Sequence, residues 1–276
     1  MKNHFIIHFF ALFFAAMLPC ILHGRDPFPM NRKFNIGQDI ITSDGYGLLN
    51  LDNPYLMQQN NKADIGLSCS ISYGINRFLG ITFSVPFFLQ HADNPYTSRG
   101  LGDISTFMQF HMHRTENVLV LFKAGMQFPT GDTNTRPALG SGSFNPLVNF
   151  EAYYSPDRFF ASLILASTIT TTRNHKKAGT ILDYEITLGP KFPLRFVKDS
   201  YFYVFLELQG FHLFKSKAYG ESIPKSDGHL LLFGPILSYD IADCQYLLRI
   251  QFPIAHRKFG THKIDYLVSL SFQKDI

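Results

Sequence analysis

The side chains best equipped for chemistry in this chain are two histidines, a scatter of carboxylates and a pair of serines among glycines. His111 and His113 are separated by one residue, so an extended backbone projects both imidazoles from one face, a spacing that could bring two nitrogens to one metal ion. No third ligand accompanies them. With Gln109 and Asp103 on the same parity, they read more simply as a hydrated polar wall. Ser141 and Ser143 lie in Gly140-Ser141-Gly142-Ser143-Phe144, which is not the GxSxG elbow and precedes a strand pattern, not a helix. The histidines give no readable triad order, which leaves a lipid hydrolase as the weakest of the functional alternatives. Removing Cys20 with the signal segment described below would leave Cys69 and Cys244, an export-compatible scarcity that gives neither zinc spacing nor a disulfide framework. The expectation is no catalytic residue, no cofactor and no metal.

The remaining polar groups acquire a meaning once the elements carrying them are read. Between Asp64 and Ile75, apolar Ile65, Leu67, Cys69, Ile71, Tyr73 and Ile75 alternate with Gly66, Ser68, Ser70 and Ser72, which only a strand can sort onto two faces. After a tight Asn76-Arg77 turn, Leu79, Ile81, Phe83, Val85, Phe87 and Leu89 alternate with Gly80, Thr82, Ser84 and Gln90. The same pattern returns along the chain, and its polar parity collects Asp103, Gln109, His111, His113, Lys123, Gln127, Glu151, Asp183, Glu185, Glu207, Arg249 and Asp265. Eleven clear strands are read this way, with a weaker one from Asn35 to Ser43.

Ten steps from Ile65 to Ile75, at roughly 3.4 Å each and a tilt near 45°, give about 24 Å of height, close to the apolar band of a transmembrane barrel. Strands of a soluble sandwich are shorter, at about 5 or 6 residues. A lipocalin-like barrel would turn its apolar face inward, need only eight strands and carry more charge outside. Short connections at Asn76-Arg77, 114–117, 155–158 and 240–243 alternate with longer polar ones at 91–100, 129–143, 172–180, 215–228 and 256–263, the asymmetry of periplasmic turns and extracellular loops. Only the link 189–200 is of middling length. Putting the short turns in the periplasm requires an ascending strand before Ile65, so the weak Asn35 to Ser43 segment is needed to close an even-numbered barrel. The fold class expected is therefore all-β, an antiparallel outer-membrane β-barrel of about twelve strands, over residues 35–276. Tyr73 and Phe78, Tyr154 and Phe159, and Tyr239 and Tyr246 bracket short turns as an interfacial girdle would.

Composition agrees. Of 276 residues, 46% are hydrophobic and only 17% charged, with 29 Phe, 13 Tyr and no Trp, which excludes disorder and favours strands. The mean hydropathy of +0.01 is the average of a lipid face and a wet face. Twenty-five Lys and Arg against 21 Asp and Glu leave a net charge of +4, too mild to imply nucleic acid. Lys2, the apolar run from Phe5 to Leu18, then Pro19 and Gly24 have the layout of a secretory signal over residues 1–24. An uncleaved anchor helix and a lipidated Cys20 are the alternatives. Residues 25–34 would form a periplasmic tail or partial plug.

Gly100-Leu101-Gly102-Asp103, Phe128-Pro129-Thr130-Gly131-Asp132 and Gly140-Ser141-Gly142 follow one another in an order that resembles the outer-membrane transporter-like family labelled putative MetA-pathway of phenol degradation. The resemblance covers roughly Ile65 to the C-terminus and is best from Gly100 to Tyr154. It implies a barrel that passes aromatic or other small hydrophobic molecules. One departure is the chain end, where Phe272 is followed by Gln273 to Ile276 and not by a final aromatic. From the residues alone, Gly100 and Gly102 let the chain turn into a strand and Asp103 begins the lumen face, or all three motifs only shape loops.

The functional expectation is an outer-membrane channel for passive uptake of small molecules, its pore lined by the polar parity above. Its partners would be outer-membrane lipid and lipopolysaccharide, the barrel-assembly machinery and a small solute. A non-transporting surface or structural protein, acting through basic loops such as 173–177, is the alternative.

Overall fold

The structure is a computed structural model, and it describes residues 34–44, 64–76, 78–93, 96–136, 138–173, 175–194, 200–224, 226–241, 244–257 and 266–275. The signal segment, the tail up to residue 33, Asp265 and Ile276 lie outside the described residues. The described elements are all strands: β1 (Phe34–Asp44), β2 (Asp64–Gly74), β3 (Leu79–Asp93), β4 (Tyr96–Leu101), β5 (Ser105–Arg114), β6 (Val118–Gln127), β7 (Asn145–Tyr154) and β8 (Phe159–Thr168). They continue with β9 (Thr172–Arg173), β10 (Lys176–Lys177), β11 (Ile181–Pro193), β12 (Tyr201–Leu213), β13 (Lys217–Ala218), β14 (Glu221–Ser222), β15 (Gly228–Ile241), β16 (Cys244–Arg257) and β17 (Tyr266–Asp275).

Twelve of these strands form one antiparallel ring in the order β1, β17, β16, β15, β12, β11, β8, β7, β6, β5, β3, β2, with β2 returning to pair with β1. The first and last strands pair over their full length, from Asn35 opposite Asp275 to Asp44 opposite Tyr266. Closure leaves no open sheet edge in the ring, as a backbone surrounded by hydrocarbon requires. The weak segment read from Asn35 to Ser43 is thus the strand that closes the barrel. Among the described residues, the short strand β4 adds to the upper part of β3, and β9, β10, β13 and β14 make a separate four-stranded sheet within two long loops.

The alternation sorts the faces as its chemistry demands. Ile71 is 46% exposed, Leu206 55% and Ile254 57%, while Glu207 and Gln251 are fully buried within the barrel. A soluble barrel would reverse this arrangement. On the inner face of β2 and β3 the residues are small, with Ser68 bonded to Ser84 at 3.2 Å and Ser72 to Thr82 at 2.8 Å. The Asn76 side chain caps the tight turn by accepting from the Phe78 and Leu79 amides.

Three readings of the sequence are corrected. The link expected at 189–200 begins later, because β11 continues to Pro193 and keeps Lys191 opposite Tyr203. Tyr246, expected at an exposed interface, is 4% exposed and packed with Cys244, Tyr239 and Ile241, whereas Tyr73, Phe78, Tyr154 and Phe159 are exposed. The pairing of β5 with β6 slips between His111 and His113, so that His111 opposes Leu121 while His113 opposes Val120. One extra residue in a strand reverses side-chain parity beyond it. The two histidines therefore do not share a face.

Candidate functional site

The inside of the barrel is layered. Its middle is a belt of charged and amide side chains from β6, β7, β11, β12 and β16. Lys123 Nζ lies 2.6 Å from Glu151 Oε1, and the same carboxylate accepts from Asn149 Nδ2 and from the Tyr153 hydroxyl, both at 2.8 Å. Across the ring, Arg249 Nη2 lies 3.1 Å from Glu207 Oε2 and 3.7 Å from Glu185 Oε2. Gln251 Nε2 donates to Glu207 Oε1 at 2.6 Å, and the Thr187 hydroxyl stands 3.3 Å from Glu185 and 3.4 Å from Glu207. Asp183 faces Gln209 Nε2 at 3.5 Å. Charges taken out of bulk water need such partners, and these pairs brace facing strands. Among the described residues the belt holds four carboxylates against two cations, so its balance is negative.

On the side of the short turns, an apolar and aromatic layer lies under the belt. Leu119 and Leu121 are buried against Tyr153, while Tyr203, Phe205 and Ile236 pack with Phe160, Tyr201 and Leu247. Phe160 and Phe205 have ring centroids 4.8 Å apart, and Lys191 Nζ sits 4.2 Å from the Tyr201 ring centroid. On the long-loop side, Ile181, Phe211, Leu213, Leu230, Leu232 and Leu267 form a second apolar layer. Parity alone had assigned the inner face to polar groups. The missed signal is the run that is apolar on both parities, as in Val118-Leu119-Val120-Leu121-Phe122 and Leu230-Leu231-Leu232-Phe233.

Of the residues expected to line the pore, Lys123, Glu151, Asp183, Glu185, Glu207 and Arg249 converge in the belt. Gln109 and His111 lie beside it, 3.0 Å apart through their side-chain nitrogens. Gln127 is near the long-loop end, where its amide oxygen accepts from Asn145 at 3.0 Å. His113 has turned to the other face. Among the described residues, His111 Nδ1, Asn149 Oδ1, Arg249 Nε and Gln251 Oε1 are buried without a hydrogen-bond partner, so polar groups inside the barrel keep bonding capacity. No group of three or more metal-ligating side chains occurs among the described residues.

Asp103 is elsewhere. It lies between β4 and β5, 5% exposed, and its Oδ1 accepts from the Gly131 amide at 2.9 Å. Its Oδ2 accepts from the Ser141 amide at 2.7 Å and the Ser141 hydroxyl at 2.6 Å. Thr130 Oγ1 completes the knot by accepting from the Ile104 amide at 2.9 Å and donating to the Gly102 carbonyl at 3.1 Å. Gly131 and Gly140 pack backbone to backbone so closely that a Cβ added at residue 140 would meet Gly131 Cα at 2.7 Å. The three glycine motifs, separated by about thirty and forty residues, are one structural unit pinned by a single carboxylate. Asp103 thus belongs to this loop knot and is not the first lumenal group of β5.

The family described as "Putative MetA-pathway of phenol degradation" matches residues 60–258, which includes the whole knot and most of the ring. The chain belongs to this family. A solved structure described as the COG4313 outer membrane channel from Pseudomonas putida F1 superposes with a TM-score of 0.64 at 13% identity, covering 91% of this chain and 97% of that one. LpxR from Salmonella typhimurium follows with a TM-score of 0.44 at 8% identity, covering 87% and 99%. No curated protein matches the chain. The protein is an outer-membrane β-barrel.

Proposed function

We propose that the barrel is a passive channel for small, weakly polar molecules, aromatic ones among them, and that residues 1–24 direct its export. The observation that carries this reading is the layered lumen. A pathway lined throughout by polar groups suits strongly hydrated solutes, whereas two apolar layers on either side of a paired charged belt suit a solute with an apolar body and one or two polar groups. Rings at Phe160, Tyr203 and Phe205 offer edge and face contacts to such a body, and the partly exposed side chains of Lys123, Glu185 and Arg249 offer bonds to its polar end. The solved channel of the same fold supports a channel, and the phenol-degradation description of the family supports the solute class.

The test is reconstitution in liposomes with a panel running from phenol-like solutes to sugars of similar size. Uptake of the phenol-like members above that of protein-free vesicles, with sugars excluded, is the expected result. Equal impermeability to every member would leave the barrel as a structural or surface-interaction protein.

A further inference from the structure

Two hairpins on the long-loop side, one between β8 and β11 and one between β12 and β15, are zipped together into the small sheet ordered β14, β13, β10, β9. Four of its eight positions are cationic, Arg173, Lys176, Lys177 and Lys217, and Glu221 is its one acid. Register places Thr172, Lys177, Lys217 and Ser222 in a single cross-strand row. Lys177 and Lys217 are thus directly opposite each other, with a hydroxyl residue on either flank and no carboxylate in the row. Like charges in directly opposed positions destabilise a sheet. Neither lysine has an ion pair among the described residues.

At the far end of the same sheet, both hairpin tips carry a ring on a left-handed backbone. His175 has φ of 63° and Tyr219 of 52°, with Gly220 following at 86°. Two consecutive positive φ values make the β13–β14 turn one in which Asn and Gly are the usual residues, and a tyrosine there is disfavoured. The Tyr219 amide nevertheless donates to the His175 carbonyl at 2.7 Å, and the two rings stack with centroids 5.5 Å apart and planes 12° apart. Tyr219 is 77% exposed. A costly backbone is being held to present a flat aromatic face to the outside.

We infer that this sheet is a docking surface for lipopolysaccharide, with the Thr172–Lys177–Lys217–Ser222 row taking a phosphate and the His175–Tyr219 stack taking a core sugar. The vertical order supports this occupant. The lysine row is at the base of the hairpins, four residues beyond the ends of β11 and β12, and Tyr219 is two residues further out, about 7 Å at roughly 3.4 Å per residue. A lipid anchored in the outer leaflet presents its phosphates at the membrane surface and its sugars beyond them, in the same sequence. An anion between the lysines turns an opposed like-charge pair into a charge-assisted site.

The experiment uses the full chain in detergent micelles, captured on a sensor surface and titrated with core-bearing lipopolysaccharide, the same material dephosphorylated, a preparation stripped of core sugars, and inorganic phosphate. Heat-modifiable gel migration checks that each variant is folded. Substituting Lys177→Gln together with Lys217→Gln is expected to weaken binding at least tenfold, matching the loss on dephosphorylation. Tyr219→Asn, which suits the backbone and removes the ring, is expected to weaken binding several-fold with core-bearing material and less than twofold without the core. Unchanged binding by the folded double-lysine variant, or equal binding of dephosphorylated material, would overturn the inference. Full displacement by millimolar inorganic phosphate would also overturn it, by making the row a free-anion site.

Discussion

Replacing Asp103 with alanine isolates the knot that joins the three glycine motifs. The carboxylate accepts three hydrogen bonds, from the Gly131 amide, the Ser141 amide and the Ser141 hydroxyl, at 2.6 to 2.9 Å. Hydrogen bonds to an ionised group contribute about 1.5 to 3 kcal/mol each, and a buried amide left unpaired costs about 1 to 3 kcal/mol. Partial relaxation and water entry reduce the sum, so a local loss of about 4 kcal/mol is the working figure. At 1.36 kcal/mol per decade this corresponds to roughly a thousandfold faster opening of residues 130–141. Amide hydrogen exchange followed by mass spectrometry reads it directly, with a peptide from β12 as the internal reference. Asp103→Asn should fall between the wild type and the alanine variant, because one oxygen remains but the new amide meets two Ser141 donors. Acceleration of less than tenfold in 130–141, or equal acceleration in β12, would refute the account of Asp103 as a loop clamp.

Three further outcomes follow from the geometry. Lys123→Met leaves Glu151, whose side chain is 6% exposed, without its cation, and should destabilise the barrel by about 3 to 5 kcal/mol; adding Glu151→Gln should restore most of the heat-resistant gel mobility. Arg249→Gln leaves Lys123 as the belt's cation against four carboxylates, so the reversal potential in planar bilayers under a salt gradient should move toward cation preference. Gly140→Val drives a side chain into Gly131 Cα at 2.7 Å and should block formation of the knot, read as protease cleavage within 130–141.

The sequence carried the fold in its period. Ile71, Ile81, Phe83 and Leu163 could be assigned to lipid because each alternates with a small or polar neighbour, and the need for an even strand number exposed β1 despite its weak pattern. Period two sorts faces but does not say how full the interior is. Leu119, Leu121, Leu230 and Leu232 lie in runs apolar on both parities, where the rule has nothing to separate. A single irregular residue also defeats it, as the slip beyond His111 turned His113 away. The clamp was visible as motifs but not as a contact, because nothing local tells Asp103 that Gly131 and Ser141 will meet it.

The small side chains on β2 and β3 have a consequence for the shape of the barrel's interior. Those strands stand half a turn of the ring from β11 and β12, which contribute Glu185, Tyr203, Phe205, Glu207 and Phe211 to the interior. Bulk on one wall faces serines on the opposite wall at Ser68, Ser70 and Ser72, so the lining of the barrel is lopsided. For the channel proposed above, that asymmetry would make selectivity differ around the circumference. In that channel a solute sliding along the serine wall would meet the charged and aromatic groups with one flank only, and its orientation in transit would be set by which flank can bear that contact.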